Sequence, residues 1–128
     1  MALFTANSSG TGQAAALNAD SSVNGRTNAV ARGSVIVLYG TGMGMLNPAP
    51  PIGGVNGVPL ARAVGTVTAT IGGKTANVLY AGGAPGLIAG VVQVNLQVPA
   101  DAPTGDAVAV EVLVDGFPSQ LGVTIAVR

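Results

Sequence analysis

Three segments in the last third of the chain alternate apolar and polar residues with a period of two. In Val91–Val98, the side chains of Val92, Val94, Leu96 and Val98 share one face, and Gln93, Asn95 and Gln97 share the other. In Ala107–Val114, Val108, Val110, Val112 and Val114 oppose Ala107, Ala109, Glu111 and Leu113. In Leu121–Val127, Leu121, Val123, Ile125 and Val127 oppose Gly122, Thr124 and Ala126. Successive side chains of a strand point to opposite sides, so each segment reads as a half-buried β-strand. Pro99–Asp106 breaks the first from the second, and Asp115-Gly116 opens the turn toward the third.

Upstream, Ser34–Tyr39 is a continuous apolar run, which predicts a central strand covered on both faces. Thr66–Ile71 alternates, and Gly72-Gly73 turns it into Ala76–Ala81, a hairpin signature. Ala2–Ala6 and Gln13–Ala19 read as short strands, although the Ala-rich centre of the second also suits a helix. Asp20–Gly33 reads as a loop, and Ala81–Gly90 as a flexible connection. Gly40–Gly65, rich in Gly and Pro, exceeds the usual loop length of about 12–15 residues, the mark of a functional loop or a packed excursion. Ile36 and Leu38 are expected in one core with Val94, Leu96, Val110, Val112, Val123 and Ile125. The spacing predicts an all-β, antiparallel β-sandwich of about seven to eight strands, a single domain over residues 1–128 with 1–33 as an N-terminal strand and loop extension.

Composition narrows the chemistry. Apolar residues make up 48% of the chain but aromatics only 3%, so the core must be built from Val, Ile, Leu and Ala. Charged residues are 8%, with five basic and five acidic side chains. The basic ones, Arg26, Arg32, Arg62, Lys74 and Arg128, are scattered, so the phosphate-neutralising cluster that nucleic acid demands is absent. A neutral, sparsely charged surface offers little resistance to association. No segment has the run of roughly 18 apolar residues that a membrane span needs. The start of the chain lacks the pattern of a secretory signal; if the parent is exported, the chain is a fragment and Met1 an added start codon.

Arg32–Gly44, with its glycine-rich end, resembles the opening strand of bacterial immunoglobulin-like IPT/TIG domains. Thr66–Tyr80 is similar to the hairpin that follows, Val94–Asp106 to the strand and loop after it, and Val108–Val127 to the closing hairpin. Phe4-Thr-Ala-Asn, Gln13–Asp20 and Val23-Asn24 resemble a narrower group, the C-terminal domains of large exported proteins of Acidobacteria such as Solibacter. The resemblance implies an immunoglobulin-like sandwich in a secreted parent, extracellular or at the cell surface. It carries no activity over to particular residues.

The chain has no His and no Cys, which removes the usual general base, the commonest metal ligands and disulfides. Asp101 and Asp106 flank one loop and form the nearest thing to a carboxylate pair for Ca²⁺ or acid–base work. Asp in Pro- and Gly-rich turns ordinarily bonds backbone N–H groups instead. Gly40-Thr-Gly-Met-Gly44 lacks the spacing of a dinucleotide loop, and the prolines after it forbid the helix such a loop needs. It reads as a bend ending a strand. Lys74 reads as solvated, and Asn7-Ser8-Ser9 fits a glycosylation triplet that arises often by chance.

Gln93, Asn95 and Gln97 remain as a row of neutral amides, the one candidate interaction face. Sugar surfaces use amides together with stacking aromatics, of which only Phe4, Tyr39, Tyr80 and Phe117 exist. The expectation is a non-catalytic structural or interaction module of an exported protein, without a cofactor, whose partners are neighbouring domains or copies of itself. The first nineteen residues are the natural segment to cross between copies as an added strand. The alternatives are a polysaccharide- or surface-binding module and a subunit of an extracellular filament.

Overall fold

The computed structural model describes all residues from Met1 to Arg128. Twelve strands and no helix form the fold: β1 (Ala2–Leu3), β2 (Gly12–Gln13), β3 (Ala16–Asn18), β4 (Val35–Thr41), β5 (Leu46–Asn47), β6 (Arg62–Ala63), β7 (Val67–Ile71), β8 (Lys74–Gly83), β9 (Val92–Gln97), β10 (Gly105–Val114), β11 (Phe117–Pro118) and β12 (Val123–Val127). The all-β class expected from the alternation is therefore what the structure has. Six of the strands are five residues or longer, and the other six are short additions to them.

The strands pair along one continuous curled path, β1-β4-β9-β8-β7-β10-β12-β2. Two long strands bend this path. β8 pairs with β7 through Lys74–Ala76 and with β9 through Asn77–Gly83, with a register shift between Val78 and Tyr80. β10 pairs with β12 through Gly105–Ala109 and with β7 through Val110–Val114. An extra residue in a ladder bends the strand and increases its twist, so one strand serves both sides of the core.

Tight turns fix the register. Gly72-Gly73 closes β7 onto β8, with φ of 59° and 77°. Asp115-Gly116 closes β10 onto β11, with φ of 50° and 83°. Two central residues at positive φ are the turn whose twist matches antiparallel strands.

The N-terminal segment joins the two ends of the path. β1 pairs with β4, and β2 runs parallel to β12. Between them, Thr5 bridges Ala14, with the Ala6 N–H on the Gln13 C=O at 2.8 Å and the Ala15 N–H on the Phe4 C=O at 2.9 Å. β3 adds a third contact, on β4. Closing a sheet removes its edges, which would otherwise pair with another chain. Within this chain the first nineteen residues are used at home: Leu3, Ala14 and Ala16 lie in the core.

The core holds every residue expected of it: Ile36, Leu38, Val94, Leu96, Val110, Val112, Val123 and Ile125 are all buried. Three finer expectations are corrected. Leu121 is 79% exposed, because β12 begins at Val123, after a turn at Gly122. β4 is buried on one face only; Val35, Val37 and Tyr39 are half-buried, since no further layer covers them. Gln13–Ala19 forms neither one strand nor a helix but two short strands, one on β12 and one on β4.

Candidate interaction surface

β9 runs through the middle of the sheet, between β4 and β8, and presents its polar face outward. Gln93 and Asn95 are half-buried, and the Gln93 amide donates to Asn95 Oδ1 at 2.9 Å. Gln97 is exposed and donates to the Gly33 carbonyl at 3.2 Å. The structure thus brings the three predicted residues onto one face. Their cross-strand neighbours on β4 are Tyr39, Val37 and Val35, so an aromatic ring flanks the row beside Gln93.

A second surface was not visible in the alternation. β4 and β8 end, β9 begins, β7 begins and β10 ends at the same end of the sheet, where Gly40 faces Val92, Val92 faces Gly83 and Val67 faces Val114. Pairing of β5 with β6 turns part of the long 40–65 connection into a small hairpin there. The hairpin tip lies against the 84–91 loop. Val55 bridges Ile88, the Asn56 N–H donates to the Leu87 C=O at 2.8 Å, and the Gly86 N–H donates to the Asn56 C=O at 2.9 Å. Asn56 is buried, and its side-chain amide donates to the carbonyls of Ile88 and Val91 at 3.3 and 3.2 Å. Its Oδ1 has no partner. This anchoring leaves Ile52, Val55, Val58, Leu87 and Ile88 exposed on the tip and its neighbouring loop.

At the base of the same hairpin lies an open groove of about 590 Å³. All three methionines of the chain line it, together with Val64, Val114 and Phe117. Met43 is buried in the core while Met45 is 77% and Phe117 74% exposed. The residue spacing explains the split: Gly42 and Gly44, with φ of 78° and 83°, turn the chain out of β4 and set the two Met side chains apart. Phe117 is carried outward by the Asp115-Gly116 turn.

Charge is concentrated elsewhere. Arg32, Lys74, Asp101, Asp106 and Arg128 sit at the opposite end, where Val35 faces Gln97 and Gly105 faces Val127. At the apolar end stand Arg62 and Asp115, and both are engaged. Arg62 lies 5.1 Å from the Tyr80 ring centre, and Asp115 Oδ1 accepts the Thr66 N–H at 2.8 Å. Burial pushes the Tyr80 hydroxyl above its ordinary value, an effect that Arg62 opposes, and the hydroxyl donates to the Gly83 carbonyl at 2.7 Å.

The remaining candidates resolve into local structure. Asp101 pairs with Lys74 at 3.4 Å, both well exposed, a pair of little energetic consequence. Asp20 accepts from the Ser22 hydroxyl and N–H, which lowers its pKa and makes an ordinary turn. Asn7 Oδ1 accepts from Thr5 and Ser9 in the same way. Gly40-Thr-Gly-Met-Gly44 ends β4 as expected, and a side chain at Gly40 would collide with the Ala2 carbonyl. No three acidic side chains come together as a metal site, and no helix is long and apolar enough to cross a membrane.

The apolar end escaped the sequence reading because its residues come from four separate segments with no common period. The signal that existed was the density of large apolar residues in a Gly- and Pro-rich connection, where solvated loops carry few. No family model, curated protein or solved structure matches the chain.

Proposed function

We propose that the chain is a non-catalytic interaction module of an exported or cell-surface protein, which packs against neighbouring domains or copies of itself through its apolar end. One observation carries this reading. Eight large apolar side chains, each at least 42% exposed, gather at one end of a molecule that carries five of its ten charged side chains at the other and only two, Arg62 and Asp115, beside them. Exposed apolar patches beyond a few hundred Å² mark surfaces that are covered in use. Methionine suits such a surface, being flexible and polarizable enough to adapt to a partner. The resemblance to bacterial IPT/TIG domains supports the exported setting.

The test is made in cells that produce the whole parent protein. Protease added to intact cells should degrade the chain, and replacing Met45, Val64 and Phe117 together by Asp should release it from its assembly into the soluble fraction. Protection from protease in intact cells, or unchanged retention of the triple variant, counts against the reading.

A second reading has its own observation: Tyr39 lies beside Gln93 in the amide row, as a sugar-stacking ring would. Affinity electrophoresis in gels containing cell-wall or plant polysaccharides tests it. Retardation abolished by Tyr39→Ala together with Gln93→Ala supports a polysaccharide-binding face, and unchanged mobility in every gel rejects it.

A further inference from the structure

Resting on that docking surface, we infer that its occupant is a second copy of the chain, seated by two-fold symmetry with each hairpin tip in the other copy's groove. A two-fold contact uses the same patch on both partners, so the patch must be complementary to itself. This end meets that condition. A protruding tip, with Ile52 fully exposed and Val58 93% exposed, stands beside a groove of about 590 Å³. The two-residue strands β5 and β6 separate them, about 7 Å of strand at 3.3 Å per residue. Rotation by half a turn about an axis between tip and groove places each against its complement.

Size and charge agree with this occupant. Fully burying one large apolar side chain removes roughly 100 Å² from water. The eight are exposed to between 42% and 106%, so together they supply on the order of 600 Å², the lower end for one side of a standard interface. Residues 47–61 and 84–91 contain no charged side chain, so the tip brings no ion into the groove, and the carboxylate that lines the groove, Asp115, already accepts the Thr66 N–H at 2.8 Å. Zero net charge leaves no long-range repulsion between copies. Asn56 holds the tip in shape before contact, so little ordering entropy is lost on docking. A lipid surface fits less well: the apolar end has no ring of Lys and Arg to meet anionic headgroups, and its one arginine lies against Tyr80.

The experiment is sedimentation equilibrium on the purified chain across a range of concentrations, with three aspartate variants, followed by cysteine cross-linking. The chain should form a dimer that goes no further. Ile52→Asp and Phe117→Asp should each weaken it at least about 30-fold, the mark of a central interface residue. Val23→Asp, exposed outside the patch, should leave it unchanged. All three positions are exposed, so folding is retained and is checked by circular dichroism. The chain has no cysteine, so the double variant Ile52→Cys with Phe117→Cys gives a clean cross-link: oxidation should yield a covalent dimer that neither single substitution gives. A monomer at every concentration, an open-ended series of larger species, equal cross-linking by the single variants, or monomers bound to phosphatidylglycerol vesicles would each overturn the inference. If the chain is monomeric while the triple variant is still released from cells, the interaction module stands and its partner is a neighbouring domain.

Discussion

The side-chain amide of Asn24 pairs with both backbone polar groups of Ala126, accepting its N–H at 2.9 Å and donating to its C=O at 3.0 Å. The amide thereby extends the edge of β12 next to Val30, which makes only an isolated parallel bridge with Val127 and donates its own N–H to the same Ala126 C=O at 3.0 Å. Gln13 and Asn18 hold it in place, at 3.0 Å each. Gln120 does the same for Leu3, accepting its N–H at 2.9 Å and donating to its C=O at 2.6 Å. Both amides satisfy edge groups that the short N-terminal strands leave open.

Asn24→Ala leaves the buried N–H of Ala126 without a partner. The expected loss is about 2–3 kcal/mol, read as a lowered denaturant midpoint at unchanged slope. Asn24→Gln should not restore it, because the longer arm cannot place the amide in register. A midpoint within error of the parent would show that water replaces the pair.

Deleting residues 1–19 removes Leu3, Ala14 and Ala16 from the core and opens both β4 and β12. The expected result is loss of the cooperative thermal transition, with increased aggregation from the exposed edges. A truncated chain that melts like the parent would show that the segment is an accessory rather than part of the closed sheet.

Val110 and Ala109 are adjacent on β10 and face opposite ways, Val110 buried and Ala109 exposed. Val110→Asp puts an unpaired charge into the core and should cost more than about 4 kcal/mol, enough to prevent folding. Ala109→Asp should change stability by no more than about 0.5 kcal/mol. Comparable thermal midpoints for the two variants would mean that the strand faces are misassigned.

Gly72 and Gly73 share one turn but differ in surroundings. A side chain at Gly72 would collide with the Pro103 ring, whereas nothing lies within 4 Å of one at Gly73. Gly73→Ala should cost about 1 kcal/mol from left-handed strain alone. Gly72→Ala carries that strain plus the collision, so its thermal midpoint should fall further.

Tyr80 contributes a pH dependence on the alkaline side. Burial raises its pKa above 10.0 against the opposing effect of Arg62. Because the folded value exceeds the unfolded one, its contribution to stability is complete below about pH 10 and is lost as pH rises through the folded value. In a Tyr39→Phe background, the single remaining phenol should ionise above pH 10 by ultraviolet absorbance. Ionisation below 10 would place Tyr80 in contact with water.

The alternation in Val91–Val98, Ala107–Val114 and Leu121–Val127 by itself located three strands and most of the side chains they send into the core, because period two permits only one buried face. The Gly72-Gly73 and Asp115-Gly116 pairs likewise set two hairpins through local backbone geometry. The same reading put Leu121 on the buried side, since the pattern does not show where a strand begins. Only the tertiary structure decided that β8 and β10 each serve two partners, that residues 1–19 join the ends of the sheet, and that Asn24 and Asn56 are buried and Gln120 half-buried. Each depends on contacts between residues far apart in sequence, such as Leu3 with Gln120, which leave no local period. The apolar end is of the same kind: Met45, Ile52, Ile88 and Phe117 become one surface only when four connections converge at one end of the sheet.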